Sequence, residues 1–388
     1  MLSTPSKIVI PFQYPFRIFF LSAGVSGLLL VPLWLAILMG YGGVQVAPHW
    51  HPHELLGAFV NSAIAGFLLT AVCAWTGTRP VSGWPLGALW LLWLAGRVPM
   101  LSGSAPMVAM LVDLAFLPVV MLLAARPIVA TGQWRQAPVL AALGLLWLCD
   151  LAFHLSGDAQ WLRAAILFTG ALILVIGGRI TPVFSRGWLQ RHGRGDQAAT
   201  VVSYRWLDAF TLISALLLGL AEASQSLPPL LVTTLAFSAG LAATVRLFLW
   251  RGWLVAGEPL LLVLHGGILW VCIAFALRGF AALGFISDVV WLHAMGAGGF
   301  GTMILGVMSR VALGHTGRPL ALPSGLVLAF SLVALAGMLR VAAGLGWLDW
   351  RLGIYSASMC WSAAFMLFLW RYAPILTGER VDEVESPG

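Results

Sequence analysis

Charge is the scarcest property of this sequence. Only 9% of the 388 residues are Asp, Glu, Lys or Arg, whereas a typical soluble domain has about 25%. Apolar residues make up 60%, and the mean hydropathy is +0.95. A chain with so few polar groups cannot cover a water-facing surface, so its composition excludes an ordinary soluble domain and predicts a polytopic membrane protein.

Cysteine is also scarce, and its spacing excludes further classes. The four cysteines, Cys73, Cys149, Cys272 and Cys360, stand singly in different apolar runs with no C-x-x-C pair, so we interpret them as small buried hydrophobic residues. The sequence also has no phosphate loop, no H-E-x-x-H and no nucleophile elbow. The common chemistries of soluble enzymes are therefore not indicated.

Long apolar runs are abundant, and each is close to the 20 residues that a helix needs to cross the hydrocarbon. Backbone groups in lipid must bond within their own segment, and the alternation of a barrel strand is missing, so these runs predict helices. We predict an all-α transmembrane bundle of about twelve helices, at 17–38, 54–75, 84–101, 106–124, 137–155, 160–179, 206–222, 228–249, 259–279, 287–309, 322–343 and 351–372.

The basic residues predict the orientation of this bundle. If both termini and the even-numbered loops share one side, that side holds all but five of the 21 Lys and Arg residues. The exceptions are Arg97, Arg163, Arg278, Arg340 and Arg351. The positive-inside rule then places both termini in the cytoplasm. Topology and anionic lipid account for the net charge of +7, which gives no reason to expect a nucleic-acid partner.

A polar stretch at 180–205 separates the first six helices from the last six. We predict a single membrane domain over 1–388, with helices at about 17–179, a cytoplasmic loop at 180–205, further helices at about 206–372 and a short acidic tail at 373–388. The first run, of about 22 residues, is too long for a cleaved signal peptide and is expected to be retained. No repeat is evident between the halves, although a decayed duplication stays open.

The stretch VAPHWHPHELLGAF carries three of the eight histidines, His49, His51 and His53. In an extended outer loop, alternation would direct the three imidazoles to one side, which suits copper or zinc. The alternative is a solvated interfacial loop in which Glu54 favours the start of the second helix.

Depth in the membrane limits which histidines can act together. His265 and His293 would differ in depth by roughly 10 to 15 Å in straight antiparallel helices, too far for one metal ion. A set that can share the outer depth is the better candidate for a cofactor site: His51, His53, His154 and His293. His265, possibly with His315, would form a separate inner site.

The glycine-rich segment after His293 allows two interpretations. By helical spacing, the face that carries His293 continues through Gly296, Ala297, Phe300 and Gly301. A planar macrocycle could lie against this mostly flat surface. Alternatively, the small residues only allow close helix packing.

Two carboxylates lie within predicted spans. Asp113 falls near the middle of the fourth helix and Asp150 near the outer end of the fifth. Either could relay protons or orient a liganding imidazole through its second nitrogen. Either could equally bond a neighbouring helix.

Several stretches together resemble the NnrS family of bacterial membrane proteins. They are YPFRIFFLSA at 14–23, HPHELLGAF with GFLLTAVCAWTG at 51–77, LWLAGR at 92–97, GRITPVFS at 178–185 and HAMGAGGFGTMILGVMSRVALGHTGRPL at 293–320. The last stretch is long enough to be specific.

This resemblance implies haem and copper cofactors and a role in the response to nitric oxide. It implies that the motif histidines bind cofactor: His51, His53, His265, His293 and His315. The family's motif arginines correspond to Arg17, Arg97, Arg179 and Arg310. Depth favours a metal site of His51, His53 and His293, with Glu54, Asp113, Asp150 and His154 as possible support. Asp150 departs from the family pattern, in which an asparagine is expected.

We therefore predict a multi-pass protein of the bacterial inner (plasma) membrane. It would contact the lipid bilayer, bind haem and copper, and protect against nitrosative stress by binding or processing nitric oxide or nitrosylated iron. Two alternatives stay open. One is a haem-copper oxidoreductase with nitric oxide reductase-like turnover, for which Asp113 is the only deep acid. The other is a twelve-helix secondary transporter.

Overall fold

The computed structural model describes residues 8–41, 46, 49–102 and 106–381. Regular structure in this part of the chain is helical throughout, so the predicted all-α membrane bundle is confirmed. Eleven of the described helices are long and apolar enough to cross a membrane, and the remaining predicted span, 84–101, is also a helix. The long helices are α1 (Pro15–Leu38), α2 (Trp50–Thr76), α3 (Trp84–Ser102), α4 (Pro106–Ala130), α5 (Ala137–Ser156), α6 (Ala159–Arg191), α7 (Arg205–Ser224), α8 (Pro229–Leu249), α9 (Pro259–Ala282), α10 (Asp288–His315), α11 (Leu326–Gly344) and α12 (Trp350–Thr377).

Local sequence explains where several helices begin and end. Pro15, Pro229 and Pro259 open α1, α8 and α9, because proline has a helical φ and lacks only an N–H that the first turn leaves unpaired. The helix α2 ends at Gly77, which takes the left-handed conformation at φ +68° and bonds the carbonyl of Cys73. Glycine adopts this conformation without steric cost.

The helices group into two compact units. Among the described residues, the first unit contains those up to Trp147, Met308–Ala321 and those from Met366 onward. The second contains Leu148–Val307 and Leu322–Phe365. The helices α5, α10 and α12 therefore each contribute residues to both units. The prediction of a single domain with two six-helix halves stays a prediction.

In the first unit, α1 packs closely against α2 at Gly66. A Cβ at Gly66 would come within 2.9 Å of the Phe20 ring and 3.0 Å of Phe19, so only glycine admits these two buried rings. One turn further along α2, the Thr70 hydroxyl accepts a hydrogen bond of 3.2 Å from the Phe16 backbone N–H. Aromatic packing and this buried bond together fix the register of the two helices.

Arg17 is completely buried near the start of α1. Its Nη1 donates to the carbonyls of Leu376 at 2.9 Å and Gly378 at 2.6 Å, with a longer contact of 3.5 Å to Ile375. The last carbonyls of a helix have no partner within it and carry partial negative charge. Arg17 therefore caps the end of α12, which gives a structural role to one of the motif arginines.

Two helices contain a π-helical segment, Leu55–Val60 in α2 and Ala294–Phe300 in α10. One follows His53 and Glu54, and the other follows His293 directly. A π segment breaks the regular i, i+4 bonding of a helix and changes the direction of the side chains beyond it. Such segments are frequent at functional sites.

The histidine stretch differs from the extended loop that alternation predicts. Trp50–Glu54 forms the first turn of α2, so the interpretation of three imidazoles on one side of an extended segment is wrong. In a helix, residues two apart lie on different faces, and His51 and His53 diverge accordingly. Residues 47 and 48 of this stretch lie outside the described residues.

Two boundaries also differ from expectation. The helix α6 continues to Arg191, through half of the stretch predicted as a polar loop, and α12 continues to Thr377, past the predicted start of the acidic tail. In both cases the helix was predicted from its apolar run alone, and the polar residues that follow this run are also helical. Residues 382–388 of the tail lie outside the described residues.

The cap supplied by Arg17 generates a prediction. We expect Arg17→Gln to lower stability by about 2–4 kcal/mol, because hydrogen bonds from a charged donor contribute about 1.5–3 kcal/mol and α12 would lose its cap. The measurement is the midpoint of thermal unfolding of the detergent-purified protein. Arg205→Gln, which alters an exposed arginine, is the control, and equal midpoints for the two variants would contradict the capping role.

Candidate metal and cofactor sites

The first unit contains a buried histidine between two carboxylates. His53 is 2% exposed; its Nδ1 lies 3.1 Å from Oε1 of Glu54 and its Nε2 lies 3.0 Å from Oδ2 of Asp113. Glu54 and Asp113 are themselves buried. These three residues form a histidine–carboxylate cluster, in which His53 and Asp113 each offer one atom that could hold a metal ion.

Arg97 joins the two carboxylates of this cluster. Its Nη1 lies 2.9 Å from Oε1 of Glu54, and its Nη2 contacts Oδ1 of Asp113. The helices α2, α3 and α4 are thus linked through one guanidinium. With His53 neutral, the two carboxylates and Arg97 carry a net charge of −1. A second proton on His53 or a bound cation would balance this charge.

Small residues make room for this arrangement. A Cβ at Gly57 would collide with the Arg97 guanidinium, and a Cβ at Gly96 would lie 3.2 Å from Oδ1 of Asp113. The indole N–H of Trp93 donates a hydrogen bond of 3.2 Å to the carbonyl of Gly57, which lies in the π segment of α2. The glycine of HPHELLGAF and the glycine of LWLAGR therefore both serve the same cluster.

His51 lies on a different face of α2 from His53. Its ring stacks on Trp34 of α1, with centroids 5.3 Å apart and planes 13° apart, and Trp34 also contacts Trp50. The structure therefore places His51 in an aromatic group rather than beside Glu54 and Asp113.

Asp150 and His154 form a second pair, at i and i+4 on α5. His154 Nε2 lies 3.8 Å from Oδ1 of Asp150. Both belong to the second unit, and each offers a possible ligand atom. Asp150 therefore lies beside a histidine of its own helix.

His293 has the arrangement of a ligand imidazole held by its own helix. Nδ1 lies 2.8 Å from the carbonyl of Val289, one turn earlier in α10. With a proton on Nδ1, the ring nitrogen that carries the lone pair is Nε2. Beside it, no atom in the described part of the chain lies within 4 Å of the position that a side chain would take at Gly296.

The flat face predicted to run inward from His293 is interrupted. At Gly301 a Cβ would collide with the Trp361 ring and approach Val333, so α11 and α12 cover this position. Gly298 likewise faces the ring of Trp270. The π segment between His293 and Gly301 changes the phase of the helix, which is why the i, i+3, i+4 spacing fails beyond Ala297.

His265 occupies the other end of the same unit. It is 5% exposed, Nε2 lies 3.1 Å from the Ser185 hydroxyl of α6, and Gly252 packs on the ring. Along the antiparallel helices α9 and α10, His265 and His293 are separated in depth by roughly 15–20 Å at 1.5 Å per residue. One ion cannot bind both.

The remaining motif residues lie elsewhere. His315 ends α10 in the first unit, where its ring is 5.7 Å from that of Phe16 and its carbonyl accepts from Arg380 at 3.4 Å. Arg310 is half-buried on α10, and Arg179 is exposed on α6. The GHTGRP loop thus packs against both ends of the chain.

Sequence reasoning did not identify a second buried ionic group. Glu222 of α7 is 2% exposed and binds Arg163 at 2.6 Å and Arg278 at 2.7 Å. Arg278 also lies over the Trp291 ring at 5.6 Å. The signal was present, because charged residues within membrane spans commonly pair with one another.

The fold and these sites define a multi-pass helical membrane protein with a buried histidine–carboxylate cluster. Residues 10–380 match the family described as NnrS protein. The chain therefore belongs to the NnrS family, and the resemblance of its motifs is confirmed. No curated protein matches the chain. Family membership fits a role in the nitric oxide response.

The linkage of Arg97 to two carboxylates generates a second prediction. We expect Arg97→Gln to cost about 3–5 kcal/mol, because it leaves buried negative charges uncompensated. Glu54→Gln in the same chain should recover part of this cost, since one of those charges is then gone. Thermal unfolding of both single variants and the double variant measures the coupling, and additive costs would contradict the ionic linkage.

Proposed function

We propose that this protein of the bacterial inner membrane binds copper at the histidine–carboxylate cluster and haem at His293, and that it protects against nitric oxide and nitrosative stress. Family membership supports the nitric oxide response. The observation that carries the metal proposal is the charge of the cluster around His53.

A cation fits that cluster for two reasons. Two buried carboxylates face one guanidinium, and an uncompensated charge at this depth costs several kcal/mol. The donors are imidazole nitrogen and carboxylate oxygen, a set that suits Cu(II). The separation of 3.0 Å between His53 Nε2 and Asp113 Oδ2 matches two ligands that share one ion at about 2.1 Å each.

The residues around the metal would orient its ligands. Glu54 lies 3.1 Å from Nδ1 of His53, which is the usual place for the carboxylate that fixes the tautomer of a liganding histidine. Arg97 holds Glu54 and Asp113 in place. Asp150 and His154 of the second unit are a separate pair of possible donors.

Haem fits His293 better than the other motif histidines. The bond from Nδ1 to the Val289 carbonyl presents Nε2 to an iron atom, and the open side at Gly296 admits a planar group. His265 has Ser185 at Nε2 and Gly252 against its ring face, which leaves less room. Bound haem would supply an iron centre that takes up nitric oxide, with its reactivity set by the axial ligand and pocket polarity.

The metal proposal predicts that copper content depends on His53. Protein purified in detergent from copper-supplemented cells should contain copper, and His53→Ala or Asp113→Asn should reduce it at least tenfold, since loss of a ligand removes much of the affinity. Metal analysis per mole of protein is the measurement.

His192→Ala is the matched control, because His192 is exposed at the end of α6, where it stacks on Trp188. Asp150→Asn with His154→Ala shows whether the second pair adds to the copper bound. A copper content that is unchanged in His53→Ala would refute the cluster as the copper site.

The haem proposal predicts a Soret band that shifts when nitric oxide is added. We expect His293→Ala to abolish this band and His265→Ala to retain it. The absorption spectrum of the protein expressed with haem supplied is the measurement. Loss of the band only in His265→Ala would move the haem to the inner site, and colourless wild-type protein would exclude haem and favour a transporter.

A further inference from the structure

Arg340 is an unusual arginine on α11. It belongs to an apolar span and is half-buried, and its Nη1 is buried without a hydrogen-bond partner among the described residues. No carboxylate in the described chain pairs with it. A buried guanidinium N–H in this condition loses its hydration without replacement, which costs more than for a neutral group.

Two other arginines of the membrane spans bond carboxylates. Arg278 bonds Glu222 through Nε and Nη2, at 3.1 and 2.7 Å. Arg97 bonds Glu54 and Asp113. In both cases the protein itself supplies the acceptors, as it does with backbone carbonyls at Arg17. Nη1 of Arg340 has no such acceptor among the described residues. The group that would satisfy Arg340 is therefore an anion from outside the chain.

Helix packing fixes the face and the depth of Arg340. A Cβ at Gly337 would lie 2.9 Å from the Gly298 Cα, and a Cβ at Gly344 would lie 3.1 Å from the Val290 side chain. Arg340 stands three residues after Gly337 and four before Gly344, so all three share the face of α11 that packs on α10. Interpolation between these two contacts places residue 340 level with Ala294 and Met295, the two residues after His293.

The position beside His293 is also where space is available. Gly296 has no neighbour within 4 Å of its missing side chain in the described part of the chain, and His293, Gly296 and Ala297 are each partly exposed. Toward the inner side, Gly301 is covered by Trp361. A ligand at His293 would therefore lie at the depth of Arg340.

We propose that Arg340 binds a carboxylate of the ligand held at His293, which for haem is a propionate. This inference rests on the proposed haem site. A planar macrocycle bound at His293 would place its apolar ring beside Gly296. A carboxylate at the edge of the macrocycle would then lie at the buried Nη1 of Arg340. Arg340 is a binding residue here and not a catalytic one.

The test compares haemin with its dimethyl ester, in which both carboxylates are uncharged. Protein expressed without added haem is titrated with each in the same detergent, and the Soret band reports binding. Wild type should bind haemin about ten- to a hundredfold more tightly than the ester, the range expected for charge-assisted hydrogen bonds. In Arg340→Gln this preference should disappear while ester affinity stays the same. Arg340→Lys should keep part of it.

Arg351→Gln is the control, because Arg351 is exposed at the start of α12 on the same predicted side. A haemin preference that persists in Arg340→Gln would overturn the inference and leave the haem site standing; Arg340 would then extend to a lipid phosphate. Equal affinity of wild type for haemin and ester would overturn it as well. Wild type that binds neither compound would refute the haem site and the inference together.

Discussion

The cost of burying charge is the constraint on which the rest of this structure depends. A guanidinium or carboxylate at membrane depth is expensive unless a partner replaces its water. Arg17 meets this need with carbonyls of the chain's last long helix, Arg97 with Glu54 and Asp113, and Arg278 with Glu222. Each arginine and its partners come from different helices, so each pairing also determines which helices are neighbours within its unit.

The same constraint separates structural groups from candidate binding groups. Where the chain supplies acceptors to a buried charge, as for Arg17 at the end of α12, the arrangement stabilises the fold. Around His53 two carboxylates face one guanidinium, which favours a cation or a proton. At Arg340 a buried N–H has no acceptor among the described residues, which favours an anion.

Glycine and π-helical segments allow these charged groups to reach their positions. Gly57 admits the guanidinium of Arg97, and Gly298 and Gly337 bring α10 and α11 into close contact. The π segments after Glu54 and after His293 change the direction of the side chains that follow. A regular helix would continue the face of His293 to Gly301, whereas in the protein that face ends under Trp361.

By itself the sequence determined that the protein lies in a membrane, that it is helical, where its spans approximately are and to which family it belongs. These properties follow from the lengths of apolar runs and from local motifs, which do not depend on distant partners. It also indicated Asp113 as a possible neighbour of an imidazole. Tertiary structure alone decided that His51 and His53 diverge, that Arg97 joins two carboxylates, and that Arg163 and Arg278 share Glu222. These outcomes depend on which helix faces meet, and a π segment alters that phase by an amount that periodicity does not record.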